Sequence, residues 1–174
     1  ANDYLLKYLK INPNTPKVFN LIANNFSKIR KYKKAEEYYL KAINLKQDYD
    51  EALINLALLF DNLGKKQNAL NYYKKAIMIN PNNLGVLFNM HKLENKTLNE
   101  KQISSIEKYL SLNNKDYFNK ASGYYLLAQN ESKKKNITKE ISFLEKANNY
   151  SFKSKEKINE QALNYWLNII PKKF

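Results

Sequence analysis

The chain of 174 residues has no cysteine, one histidine, three glycines, four prolines and a single arginine. Each shortage removes a class of chemistry. Without cysteine there is no disulfide, thiolate nucleophile or thiolate metal site; a reducing compartment is allowed, and a cytoplasmic location is the expectation. The lone His91 excludes His-based triads and multi-histidine metal centres. Gly64, Gly85 and Gly123 are scattered, so no glycine-rich loop cradles a phosphate. Nothing resembles a Pro/Gly/Ser linker, and the length suits one domain. No apolar run approaches the ~18–20 residues of a membrane span. Adjacent carboxylates such as Glu36 and Glu37 read as the solvated face of a charged helix. The sequence therefore predicts no enzyme, no cofactor and no metal within these residues.

Lysine and asparagine are abundant, with 29 and 27 copies, and the formal net charge is +14. Such a charge invites a nucleic-acid reading. Phosphate and base recognition favours the bidentate fork of arginine, however, and only one arginine is present. Lys, Asn, Ile and Tyr all have A/T-rich codons, so genome composition accounts for the excess more simply. Nucleic acid remains a minor alternative.

The most informative segment is 50–83, where Leu53, Leu56, Ala57, Phe60, Ala69, Tyr73, Ala76 and Pro81 recur in one unbroken register. This resembles the tetratricopeptide repeat (TPR), whose large, small and breaker positions repeat every 34 residues or so. One period upstream, 16–49 supplies Phe19, Ile22, Ala23, Phe26, Ala35, Tyr39 and Ala42, with Gln47 in the proline place. Leu5, Tyr8, Leu9 and Pro13 look like the second helix of a repeat lacking its first. A third copy, 84–120, opens with Leu84, Leu87, Met90 and Leu93 and then degenerates, with His91 at a small-residue position. A fourth, 121–152, carries Tyr124, Leu127, Ala128, Leu144 and Ala147.

The resemblance implies an all-α fold, a right-handed helical solenoid of antiparallel helix pairs with about four repeats. Neither helix of a pair can bury its apolar stripe alone, so stacked neighbours share one core. Gly64 suits a left-handed turn between paired helices, and Asn80-Pro81 ends a helix. Thr97-Leu98-Asn99-Glu100 reads as a capping stretch that restarts the chain as a helix. Altered packing is expected between repeats three and four. From Ser154, a predicted N-cap, Ile158, Ala162, Tyr165, Trp166 and Ile169 share one helical face, predicting a capping helix over 153–170. The same helix could instead open a fifth repeat of a longer protein.

In the TPR family the first helix of each pair lines a concave groove. The matching positions here include Asn20, Asn24, Asn55, Leu58, Phe88, Asn89, Lys92, Tyr125 and Gln129. The resemblance thus implies a non-catalytic scaffold that binds a protein or an extended peptide. A carboxylate clamp for a chaperone C-terminus is not supported, because Asn20 replaces its first lysine and Gly85 and Asn89 replace its later cations. An asparagine ladder is the alternative, since an amide offers a donor and an acceptor to a peptide backbone. Arg30, Lys31, Lys33, Lys34, Lys65, Lys66, Lys133, Lys134 and Lys135 fall at the turns within pairs. They predict a basic edge, either solvated or docking an acidic partner.

Residues 84–170 are also similar to the TPR region that precedes the catalytic domain of some sulfotransferases. LNEKQISSIEKYL (98–110), ASGYYLLAQ (121–129) and EISFLEKANN (140–149) carry that likeness. The nucleotide-sulfate loop of that family is absent. If the likeness holds, a catalytic domain of the same chain would lie beyond Phe174.

Overall fold

The computed structural model describes residues 2–156. Nine helices make up its regular structure among those residues, and the architecture is all-α, of helical-solenoid type. The chain divides into two compact units, one ending at Asn82 and the other beginning at Asn83.

The first unit contains α1 (Asn2–Ile11), α2 (Pro16–Lys28), α3 (Tyr32–Leu45), α4 (Asp50–Asn62) and α5 (Lys66–Ile79). Helix α2 pairs with α3, and α4 with α5. The small residues decide how close these axes come. Ala23, Ala35, Ala57 and Ala69 are wholly buried at the two crossings, as the repeat pattern predicts. Tyr39 and Tyr73 are buried beside them, and rings meet across each pair, Phe26 tilted against Tyr38 and Phe60 stacked on Tyr72, with centroids 5.5 and 5.7 Å apart. Helix α1 packs on α2, where the Asn25 amide donates to Asn2 Oδ1 at 2.9 Å.

Each pair is joined by a turn that closes in the same way. Lys31 N donates to Phe26 O and Lys65 N to Phe60 O, both at 2.9 Å. That closure needs a left-handed residue just before it. Gly64 takes this role at φ 70°, as expected, whereas Arg30 takes it at φ 59°. Helix α5 stops at Asn80, immediately before Pro81.

The second unit contains α6 (Leu84–Glu94), α7 (Glu100–Ser111), α8 (Tyr117–Lys133) and α9 (Ile137–Ser154). Helices α8 and α9 form a close pair, but α6 packs chiefly on α8 rather than on α7. Gly123 explains the convergence. A Cβ there would lie 2.7 Å from Leu84 Cδ1 and 3.1 Å from Leu110 Cδ2, so α8 meets α6 and α7 over a position with no side chain. Leu84, Leu98, Ile106, Leu110, Leu126 and Leu127 form the core around it.

Side-chain caps, absent from α2 to α5, start every helix of this unit. The predicted restart at 97–100 is a full capping box: Asn99 Oδ1 accepts from Gln102 N at 2.9 Å, and Gln102 Oε1 accepts from Asn99 N at 3.0 Å. Two boundaries differ from those read in the sequence. Helix α8 starts at Tyr117, ahead of the repeat start at 121, because Asp116 caps it through Asn119 N. Ser154 is not an N-cap; it closes α9, with its hydroxyl donating to Ser151 O at 2.7 Å. Ile158, Ala162, Tyr165, Trp166 and Ile169 of the predicted capping helix lie outside the described residues.

Candidate functional site

The predicted groove positions of the first unit fall on α2 and α4, where Asn20 and Asn55 bond to each other. Asn20 is the exception to its assigned role. It is 2% exposed, so it cannot face a ligand. Its amide donates to Glu51 Oε1 at 3.0 Å and to the Tyr49 hydroxyl at 3.4 Å, while its carbonyl accepts from Asn55 Nδ2 at 3.2 Å. A buried amide must spend its donors and acceptor inside the protein, and Asn20 does so by bonding α2 to α4.

Asn24 lies one turn further along α2, half-buried, and its Oδ1 accepts from the Tyr39 hydroxyl at 2.6 Å. Burial, reinforced by the Glu51 carboxylate, pushes Tyr39 up to about 12, so the phenol keeps its proton and stays a donor. Burial and Glu51 also raise Tyr49. Among the described residues, Asn24 keeps its amide N–H groups outside these bonds, and Asn55 keeps its carbonyl oxygen. One donor and one acceptor are thus held in fixed positions by internal partners. Leu58, one turn after Asn55 on α4, is 37% exposed.

In the second unit, α6 and α8 bring Phe88 and Tyr125 together, with ring centroids 6.2 Å apart. The Tyr125 hydroxyl donates to Asn148 Oδ1 at 2.6 Å, which anchors the ring to α9. Asn89 is half-buried and Lys92 is exposed. Gln129 is half-buried, and its Oε1 is enclosed without a hydrogen-bond donor among the described residues.

The basic edge is less uniform than the sequence suggests. Lys133 Nζ donates to Lys96 O at 2.6 Å, and Lys134 pairs with Glu131 at 3.0 Å. Lys65 lies 3.9 Å from Glu36 and over the Phe60 ring, and Lys34 lies over Phe26. Lys135, like Arg30, occupies a left-handed turn position, at φ 58°. Arg30, Lys31, Lys33, Lys66 and Lys135 are exposed.

Sequence reasoning missed several polar residues with defined roles. Asn119 and Asn130 of α8 are buried, and their carbonyls accept from Leu84 N at 2.7 Å and Leu98 N at 2.8 Å. Lys120, 5% exposed, donates to the carbonyls of Leu110 and Leu112, where α7 ends. No local sequence pattern marks these positions. His91 is buried, as expected, with Nε2 3.3 Å from Gln102 Nε2; burial lowers it below its ordinary value. No group of His, Asp and Glu among the described residues is placed to hold a metal, and no described helix is long and apolar enough to cross a membrane.

Comparisons with known proteins fit this arrangement. Tetratricopeptide repeat family models match residues 16–49 and 50–83. Residues 16–83 are two tetratricopeptide repeats. Comparison with curated proteins finds no match. Among solved structures, MamA is similar at 19% identity over 87% of each chain, with a TM-score of 0.61. PilF of Pseudomonas aeruginosa is similar at 19% identity, over 91% of this chain and 72% of that one, with a TM-score of 0.60. YrrB, described as a TPR protein with an unusual peptide-binding site, is similar at 16% identity, over 84% and 91% of the two chains, with a TM-score of 0.51. At these identities the likeness is one of fold. The TPR fold presents concave surfaces for protein interaction and generally acts as a scaffold rather than a catalyst. The sulfotransferase resemblance of 84–170 gains no support from these matches.

Proposed function

We propose that this TPR chain is a scaffold that holds an extended peptide against the first-helix faces of its repeats, with Asn24, Asn55 and Leu58 as the contacts in the first unit. The observation that carries this reading is the pair of half-used amides. Asn24 offers N–H groups and Asn55 offers a carbonyl, and each is already oriented by an internal bond. A peptide unit presents the complementary acceptor and donor whatever its side chain. Preorganised partners lose little entropy on binding, and Leu58 adds an apolar contact that excludes water. Phe88, Asn89, Lys92, Tyr125 and Gln129 supply the corresponding positions of the second unit. YrrB, with its peptide-binding site, is a precedent for this use of the fold.

The test is a peptide-display selection on the full chain, followed by affinity measurements on the selected peptides. Two neutral hydrogen bonds are worth about 1–3 kcal/mol together. Asn24→Ala with Asn55→Ala should therefore weaken binding by roughly 5–150-fold. Thermal melts check that the double variant is folded. Selected peptides that bind wild type and double variant equally well would refute the assignment.

A further inference from the structure

A second site lies wholly within the second unit, and the concave face does not use it. Helices α7 and α9 stand apart over α8 and leave a cleft of about 390 Å³. Ligand pockets commonly hold ~300–1,000 Å³, so the volume is adequate for an inserted side chain and its neighbours. Its apolar surface comes from all three helices: Ile103 of α7, Leu127 of α8 and Phe143 of α9. Ile103 and Phe143 are only half-buried, although they pack against the core.

The charges around the cleft are not equivalent. Glu131 is 8% exposed and already neutralised, since its Oε1 accepts from Lys134 at 3.0 Å and from Asn130 at 3.3 Å. Lys139 and Lys146 are exposed on α9, and neither lies within ion-pair distance of a carboxylate among the described residues. Lys146 lies over the rings of Tyr124 and Phe143, at 5.8 and 5.9 Å, which places it above the apolar surface. Glu107 is the remaining rim carboxylate, so the uncompensated rim is net positive.

Lys139, Phe143 and Lys146 are spaced four and then three residues apart, so they share one face of α9. The two ammonium groups are based about two turns, roughly 10.5 Å, apart along the axis. An apolar anchor thus sits between two cations. Its complement is a helix with an apolar residue between two carboxylates at the same spacing. An amphipathic helix laid into a groove with an apolar floor is a recurring mode of recognition.

We propose that the α7–α9 cleft docks an acidic amphipathic helix of a partner protein. Its apolar residue seats on Ile103, Leu127 and Phe143, and its carboxylates meet Lys139 and Lys146.

The probe is a fluorescein-labelled, alanine-based helical peptide with leucine between two glutamates at the spacing of Lys139, Phe143 and Lys146. A control peptide carries lysine in place of both glutamates. Fluorescence anisotropy with the full chain at low salt should show the glutamate peptide binding at least about tenfold more tightly than the control. Higher salt should weaken it, because the rim charges are exposed. Lys139→Glu with Lys146→Glu should reverse the preference between the two peptides. Ser142→Trp, at an exposed lining position, should block the cleft without removing a core contact. Asn24→Ala with Asn55→Ala should leave this binding unchanged, which separates it from the concave-face reading. Failure of the glutamate peptide to bind, equal binding of both peptides, or unaltered binding by the Ser142→Trp chain would overturn the proposal.

Discussion

Replacing Gly123 by alanine tests how the second unit is assembled. In an ordinary helix interior, Gly→Ala stabilises by about 1 kcal/mol through helix propensity. Here the added Cβ would meet Leu84 Cδ1 at 2.7 Å and Leu110 Cδ2 at 3.1 Å. Carbon pairs prefer about 3.5–4.0 Å, so one of three helices must move or a leucine must change rotamer. Leu84 and Leu110 are 3% and 8% exposed and have little room to do so. Overpacking of this kind costs about 1–3 kcal/mol. The opposing terms leave Gly123→Ala between neutral and about 2 kcal/mol destabilising. Gly85→Ala is the reference, because its Cβ would make only ordinary contacts of 3.4–3.5 Å; it should gain up to about 1 kcal/mol. Urea unfolding of both variants should separate them by about 1–3 kcal/mol. Leu84→Val, which removes the clashing methyl, should recover part of the loss only when combined with Gly123→Ala. Equal stabilisation by both alanines, or additivity of Leu84→Val with Gly123→Ala, would refute the convergence of α6, α7 and α8 on this glycine.

Asn20→Ala should cost about 1–3 kcal/mol in urea unfolding, because it strands bonds to Glu51, Tyr49 and Asn55; an unchanged midpoint would mean that Asn20 does not tie α2 to α4. Arg30→Gly and Lys135→Gly should each raise thermal stability by about 0.5–1 kcal/mol by relieving left-handed residues, and Gly64→Ala should lower it by about 1 kcal/mol. A loss on Arg30→Gly would instead assign the arginine side chain a structural contact. His91 is lowered by burial, which outweighs the opposing pull of the Lys96 backbone and of the Glu94 carboxylate. The unfolded chain therefore binds the extra proton first, and stability should fall as pH drops below the ordinary value of 6.5 toward the lower folded value. As the only histidine, His91 can be tested cleanly: His91→Gln should flatten the difference in unfolding free energy between neutral and mildly acidic solution. An identical pH dependence in the variant would exclude His91 as its source.

What the sequence reveals follows from periodicity. Ala23, Ala35, Ala57 and Ala69 are small where two axes cross, and a repeating pattern exposes that at once. The capping box at Asn99 and the left-handed Gly64 are equally legible, because each uses a residue type with a local backbone reason. Asn20 departs from the sequence expectation for a definite cause. Its repeat position is the one that faces the groove in the family, but Glu51 and Tyr49 across the α2–α4 seam supply partners that draw it inward. The separation of α6 from α7 was visible only as damage to the pattern, with His91 at a small-residue position. Where α6 goes instead depends on Gly123, thirty-two residues away in sequence.

The composition acquires a structural meaning in the second unit. The ends of α6 and α7 leave backbone N–H and C=O groups without intrahelical partners, and a buried unpaired amide or carbonyl costs about 1–3 kcal/mol. Helix α8 supplies side chains to several of them. Asn119 and Asn130 receive the N–H groups of Leu84 and Leu98, Lys120 donates to the carbonyls of Leu110 and Leu112, and Lys133 donates to that of Lys96. Lysine is well suited to the carbonyl sites, since an ammonium on a long stem reaches a helix C-terminus and complements its dipole. A chain rich in asparagine and lysine thus has ready material for closing the helix ends of an irregular repeat. Lys139 and Lys146, by contrast, are exposed and make no ion pair among the described residues.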